Sequence, residues 1–278
     1  MTSTDRAAYF TPDGDTFVPT GIARGPWGQT VSGNYVGGLL AHLVERHVAD
    51  AAQRDDGAAD LHPSRLTVDL LRPVAMAPVA ATTETVRRGR RLWLVDAELI
   101  QNGTTVARAG ALYLRRGPQP PDDAWTTPVP MPPAPPHEAA PGGRTTLMWV
   151  HGNGAEVPAP STDLAAWQHD GPKSVWLHEL TPLVEGAALT PFGRAALAGD
   201  VASSLTGFGS GGLPFINADY TLSLSRLPDG PLIGLTALTH DSHDGIATGV
   251  AAVFDRRGPI GSATATALAN PGFAPPDR

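Results

Sequence analysis

Asp200 carries the sharpest chemical reading in this chain of 278 residues. It sits inside TPFGRAALAGDVASSL, a run otherwise rich in Ala, Gly and apolar side chains, where Asp has poor helix propensity and an uncompensated buried charge is costly. Helical spacing places Ala196, Asp200 and Ser204 on one face. If that face meets water, Asp200 is an ordinary surface carboxylate; if it lines a cleft, it can act as a general base or orient a water molecule. Arg87, Arg88, Arg90 and Arg91 form a basic cluster. Guanidinium forks suit phosphate, so Arg88 and Arg91 are candidates for holding a cofactor-carried substrate; a charged, solvent-facing turn is the alternative.

Three further motifs offer less. Gly207-Phe-Gly209-Ser-Gly-Gly212 has the spacing GxGxxG, but a dinucleotide site needs a strand before it and a helix after it. Here a helix precedes and a strand follows, so a turn is expected. His151-Gly-Asn-Gly154 resembles the oxyanion loop of serine hydrolases, yet the chain has no GxSxG elbow to go with it, and an ordinary loop is expected. His240-Asp-Ser-His-Asp-Gly245 gathers two His and two Asp at a spacing that reads as a solvated loop rather than a metal site. No metal is expected.

These residues need elements to position them. Ser32 or Asn34 can cap a helix through His47 in which Val36, Leu39, Leu40 and Leu43 recur at helical spacing. Thr190 caps a second, with Pro191 in the first turn, where its missing N–H costs nothing, and Phe192, Ala195, Ala196 and Gly199 on the inward face. Asn102-Gly103 and Arg256-Arg257-Gly258 each join two strand-like runs into an antiparallel hairpin. Arg72 and Arg226, Gly89 and Gly245, Gly103 and Gly258 are separated by 154–156 residues, so the chain reads as a duplication in which Glu45 is the approximate counterpart of Asp200. The expected class is α+β, with two tandem units each wrapping an antiparallel sheet around a long central helix. Their bounds are 1–117 and 146–278. Between them, 118–145 is a proline-rich linker that favours extended geometry and can pack little apolar surface.

The composition narrows the partners. With 20 Lys+Arg against 27 Asp+Glu the net charge is −7, which offers no field for a phosphate backbone or an anionic membrane. Cysteine is absent, excluding thiolate catalysis and fitting a reducing, cytoplasmic setting. No apolar run is long enough for a membrane span, and the N-terminal residues lack the pattern of a secretion signal. Unpaired sheet edges and outer sheet faces would be covered in a homodimer.

GNYVGGLL, DLLRPVAMAPV and ETVRRGRR in the first half, and TPFGRAALAGD, FINADYTLSLSR and DRRGPIGSA in the second, resemble the double-hotdog acyl-CoA thioesterases of the thioesterase II type. The resemblance covers roughly 20–118 and 175–268. It implies two hotdog units and hydrolysis of an acyl-CoA or acyl-pantetheine thioester without metal or organic cofactor. In that family a helix Asp, a Thr and a strand Gln hold the attacking water. Asp200 matches the Asp; the Thr position is Asn217, whose amide can still hydrogen-bond. The Gln position falls on Ala265, which cannot, although a register shift of one residue would bring in the hydroxyl of Thr264. Gly33, Asn34, Tyr35 and Gly37 of the matching first segment are the expected substrate contacts, a helix-terminal amide near Gly33 or Asn34 polarising the carbonyl. Without the Gln, a non-hydrolytic acyl-thioester-binding protein, or a tailoring enzyme acting on a carrier-bound or hydrophobic small molecule, is the alternative.

Overall fold

The computed structural model describes residues 7–53, 60–121, 124–136, 144–152, 160 and 164–273. Two helices organise them. α1 spans Gly33–Ala52 and starts on Ser32, whose side chain makes no capping bond. α2 spans Pro191–Gly207; Thr190 caps it by accepting the Gly193 amide at 2.9 Å, and Pro191 occupies the first turn as its spacing predicts.

The strands are β1 (Phe10–Asp13), β2 (Thr16–Pro19), β3 (Leu61–Asp69), β4 (Val79–Arg88), β5 (Leu92–Gln101), β6 (Thr104–Arg115), β7 (Thr146–His151), β8 (Ser174–Glu179), β9 (Phe215–Leu224), β10 (Leu232–His243), β11 (Ile246–Asp255) and β12 (Gly258–Ala269). They form one sheet in the order β1-β2-β4-β5-β6-β3-β9-β12-β11-β10-β8-β7, every pairing antiparallel. Read outward from its centre, this order is the same in both directions: β3 answers β9, β6 answers β12, and so on to β1 and β7. At the centre, Arg65–Asp69 of β3 pairs with Asp219–Ser223 of β9, and the Thr221 hydroxyl donates to Thr67 Oγ1 at 3.1 Å.

Both hairpins expected from the turn residues are present. Asn102 and Gly103 take φ of 51° and 72° between β5 and β6, the left-handed conformation that Asn and Gly tolerate. Period-two burial follows: in β5, Trp93, Val95, Ala97 and Leu99 are buried while their neighbours are partly exposed. α1 packs on β3–β6, α2 on β8–β12, and the helices pack on each other.

The helices are antiparallel. A Cβ at Gly38 would lie 2.7 Å from Leu197 Cδ2, and one at Gly33 would lie 2.9 Å from Asp200 Oδ1, so small residues set how close the helices come. Tyr220 of β9 fills the groove between them. Its hydroxyl donates to Ala196 O at 3.0 Å, and its ring lies against Gly37 on one side and Gly199 on the other.

One expectation needs correction. The described part of the proline-rich segment has no helix or strand, yet it packs apolar surface. Val129, Met131 and Ala134 lie on a cluster formed by Leu147, Trp149, Trp176, Leu232, Ala252 and Phe254. The Trp176 indole donates to Pro132 O at 3.0 Å and Arg256 donates to Pro135 O at 2.5 Å. Proline presents carbonyls without amides, so the segment can accept bonds from the sheet's side chains while lying flat on its apolar residues.

Candidate active site

Because the helices run antiparallel, the middle of α2 meets the first turn of α1. Asp200 is on α2 at that crossing, half-buried and partly open to a cavity rather than to bulk solvent. Asn217 comes from β9. The β9–β12 pairing shifts register between Thr266 and Ala267, leaving Ala218 as an extra residue, and this bulge turns Asn217 to the helix side of the sheet. Asn217 Nδ2 donates to Asp200 Oδ1 at 2.8 Å. Burial pushes the Asp200 carboxyl up to about 6, and the Asn217 bond only partly offsets that.

Gly33 brings its backbone close to the Asp200 carboxylate, whose Oδ1 lies 2.9 Å from where a Cβ would be. In the same turn, the amides of Tyr35 and Val36 return to Ser32 O at 3.0 and 3.1 Å. Among the described residues the amides of Gly33 and Asn34 have no partner, and Asn34 Oδ1 is buried without one. The positive end of α1 is therefore uncapped beside a carboxylate.

The cavity holds about 900 Å³. Its floor is one face of α2, on which Arg194, Leu197, Asp200, Val201 and Ser204 follow helical spacing. Ser32, Asn34 and Tyr35 of the α1 terminus form one wall, and Thr146, Met148, Leu177, Glu179 and Ile233 form another. One section is aromatic: Trp167 lies 5.7 Å from Phe208, and Phe208 lies edge-on to Phe273 at 5.5 Å.

The other sequence candidates fall in different places. Tyr35 lines the cavity and stacks on Tyr9 at 3.7 Å. Gly37 lies beneath the site against Tyr220 and is a packing residue. Thr264 is exposed on the outer face of β12, because strand alternation puts the buried Ala265 on the helix side; it does not reach the cavity. On that inner face Ala267 is opposite Asn217 and Ala265 opposite Tyr220, so no hydroxyl replaces the missing Gln there.

Arg88 and Arg91 are also remote. Near the C-terminal end of α1, His47 bonds Thr83 and Thr85 of β4 at 2.9 and 2.7 Å, so the β4–β5 turn lies at that end. Gly33, beside Asp200, is about 20 Å away along the helix. Arg91 borders a separate depression with Arg87 and Arg90, and Arg88 lies 4.6 Å over the Trp93 ring.

The remaining motifs behave as turns. Gly209 and Gly212 exchange both backbone bonds between α2 and β9. His240–Gly245 ends the exposed β10–β11 hairpin, with Asp244 and Gly245 at positive φ, and the described residues contain no group of three or more metal-ligating side chains. Asn153 and Gly154 of the His151 loop lie outside the described residues.

The counterpart of the site, at the other helix start, is closed. Glu45 Oε2 accepts the Thr190 hydroxyl at 2.6 Å while Thr190 Oγ1 accepts the Gly193 amide, so a cap and a carboxyl occupy what is left open at α1. Burial pushes Glu45 up to about 7. Replacing Thr190 with Ala should lower stability by about 1–2 kcal/mol, as loss of an N-cap does, with activity at the Asp200 end retained. Urea unfolding monitored by tryptophan fluorescence measures the first and single-turnover assays the second.

Glu179, Thr146 and Tyr9 had no motif to mark them, and Arg194 lay inside TPFGRAALAGD without being singled out. Only β7 and β8, whose short runs lack turn pairs like those of the other strands, bring Thr146 and Glu179 to the cavity.

Three comparisons bear on this arrangement. Residues 23–114 match the family model described as acyl-CoA thioesterase N-terminal domain. No curated protein matches the sequence. Among solved structures, the chain is similar to a tesB protein of Mycobacterium avium subsp. paratuberculosis (15% identity, TM-score 0.62, 97% of this chain and 96% of that one). It is similar to acyl-CoA thioesterase II of Mycobacterium marinum (15%, TM-score 0.57, 93% and 94%). A conserved protein with hot dog fold from Alicyclobacillus acidocaldarius gives 17%, TM-score 0.61, 97% and 98%. At such identities these likenesses establish the hot dog fold.

Proposed function

We propose that this chain, whose residues 23–114 match the acyl-CoA thioesterase N-terminal domain and which has the hot dog fold, hydrolyses an acyl-CoA or acyl-pantetheine thioester to a free acid and a thiol. We take the mirrored strand order as two tandem hotdog units, 1–117 and 146–278, with the active site at one of the two helix crossings. The observation that carries this reading is the meeting of a raised, cavity-facing carboxyl, Asp200, with the uncapped start of α1.

Asp200, held through one oxygen by Asn217, uses the other to orient water and take its proton as the water attacks the thioester carbonyl. The amides of Gly33 and Asn34 stabilise the oxyanion. Collapse of the tetrahedral intermediate breaks the C–S bond, and the proton on Asp200 passes to the leaving thiolate.

The base must be ionised, and burial holds its proton until the pH approaches 6. Hydrolysis should therefore rise with pH and level off above an apparent value of about 6, as kcat/KM measured from pH 4.5 to 8.5 would report. Turnover on a panel of acyl-CoA esters tests the whole reading. With no cysteine in the chain, a thiol reagent detects released CoA alone. Absence of thiol release across the panel would overturn it.

Ala265 and Ala267 favour a second reading, a protein that binds acyl thioesters without cleaving them. Calorimetric binding of intact esters with no acid formed would select it. No described helix is long and apolar enough to cross a membrane. A cytoplasmic protein acting on a diffusible thioester, without nucleic acid and as a homodimer in solution, fits the proposal.

A further inference from the structure

The hydrolytic reading uses Asp200 and leaves a second carboxyl on the same cavity, Glu179, without a task. We propose that Glu179 makes this a site for acyl chains bearing a hydroxyl group several carbons from the thioester, an inference that rests on the hydrolytic reading for the placement of the carbonyl.

The Glu179 carboxylate cannot swing away. Its Oε1 accepts the Tyr9 hydroxyl at 3.0 Å and the backbone amides of Leu180 and Thr181 at 3.1 Å each; Oε2 accepts the Thr146 hydroxyl at 2.8 Å. Three donors fill Oε1, whereas Oε2 has one and can take another. Thr146, also on the cavity wall, spends its proton on Glu179 and offers lone pairs only.

Arg194 supplies the opposite polarity on the same lining. Its Nη1 donates to Leu189 O at 2.9 Å, its Nε is buried without a partner, and among the described residues it makes no ion pair. A plain alkyl chain would displace water from both groups and leave them unmet, which is costly for buried polar atoms. A hydroxyl both donates and accepts, so it can meet either the Glu179 carboxylate or the Arg194 guanidinium. An ammonium group would be opposed by the guanidinium, and a carboxylate by Glu179. Arg194 precedes Asp200 by six residues on α2, about 9 Å along the axis, which sets the hydroxyl well beyond the carbonyl.

The test compares 8-hydroxyoctanoyl-CoA, 8-aminooctanoyl-CoA and octanoyl-CoA by kcat/KM, and their uncleavable thioether analogues by calorimetry. The hydroxy ligand should be favoured over the plain one by at least tenfold in both measurements, and over the amino ligand. Glu179→Gln and Thr146→Val should each reduce the ratio to within about twofold, with melting curves recorded for both. Octanoyl or aminooctanoyl ligands performing as well as the hydroxy ligand, a ratio that survives both substitutions, or no thioether binding at all would overturn the inference. A binding preference without thiol release would instead fail the hydrolytic reading alone, and turnover without preference would fail this inference alone.

Discussion

Asp200→Asn is expected to lower kcat for thioester hydrolysis by about a thousandfold, with KM changed by less than threefold. The asparagine keeps the size of the carboxyl and can still accept the Asn217 amide that now sits at 2.8 Å, so the cavity and the ground-state complex persist. In the proposed mechanism the substitution removes the group that takes a proton from water, a contribution of about 10²–10⁴ in rate. A loss confined to kcat is the mark of an interaction made in the transition state. Unchanged turnover would remove Asp200 from the mechanism. The same substitution should stabilise the fold at neutral pH. Burial raises the folded carboxyl from 3.8 to about 6, so the folded state binds the proton more tightly than the unfolded chain and loses stability as pH rises through that interval. Asn removes this cost: wild type and variant should unfold at similar urea concentrations near pH 3.5, with the variant ahead at pH 8.

Gly37→Ala should cost about 3 kcal/mol of stability, the upper range for overpacking. A Cβ there would stand over the Tyr220 ring, nearest its hydroxyl, and Tyr220 is fully buried with that hydroxyl committed to Ala196 O. The ring has Gly199 of α2 on its other side, 2.9 Å from where a second Cβ would be, so it cannot retreat. Tyr220→Phe removes the atom closest to the new methyl group, and the double variant should be more stable than the sum of the single losses implies. Urea denaturation of the four proteins measures this; strict additivity would mean that the helices move apart instead.

Much of the framework was readable from residue types. Thr190 and Pro191 marked the start of α2, and Asn102-Gly103 marked the β5–β6 turn. Asp200 stood out because nothing else in its helix is acidic. Other features depend on tertiary geometry. Thr264 was a candidate only while the face of β12 was open, and one step of strand alternation turns it outward. Arg88 and Arg91 are separated from Asp200 by the length of α1, which motif spacing does not encode. Glu179 and Thr146 reach the cavity from β7 and β8, strands with no conspicuous boundary residues, and Asn217 turns inward because of a bulge at Ala218 that a regular strand pattern does not predict.

The proline segment lying on the sheet has a consequence for solubility. Trp149, Trp176 and Phe254 would otherwise give neighbouring molecules an oily plateau to stick to. Residues short of amide hydrogens shield that plateau without offering a new edge on which foreign strands could grow. Each molecule thus brings its own cover for this face.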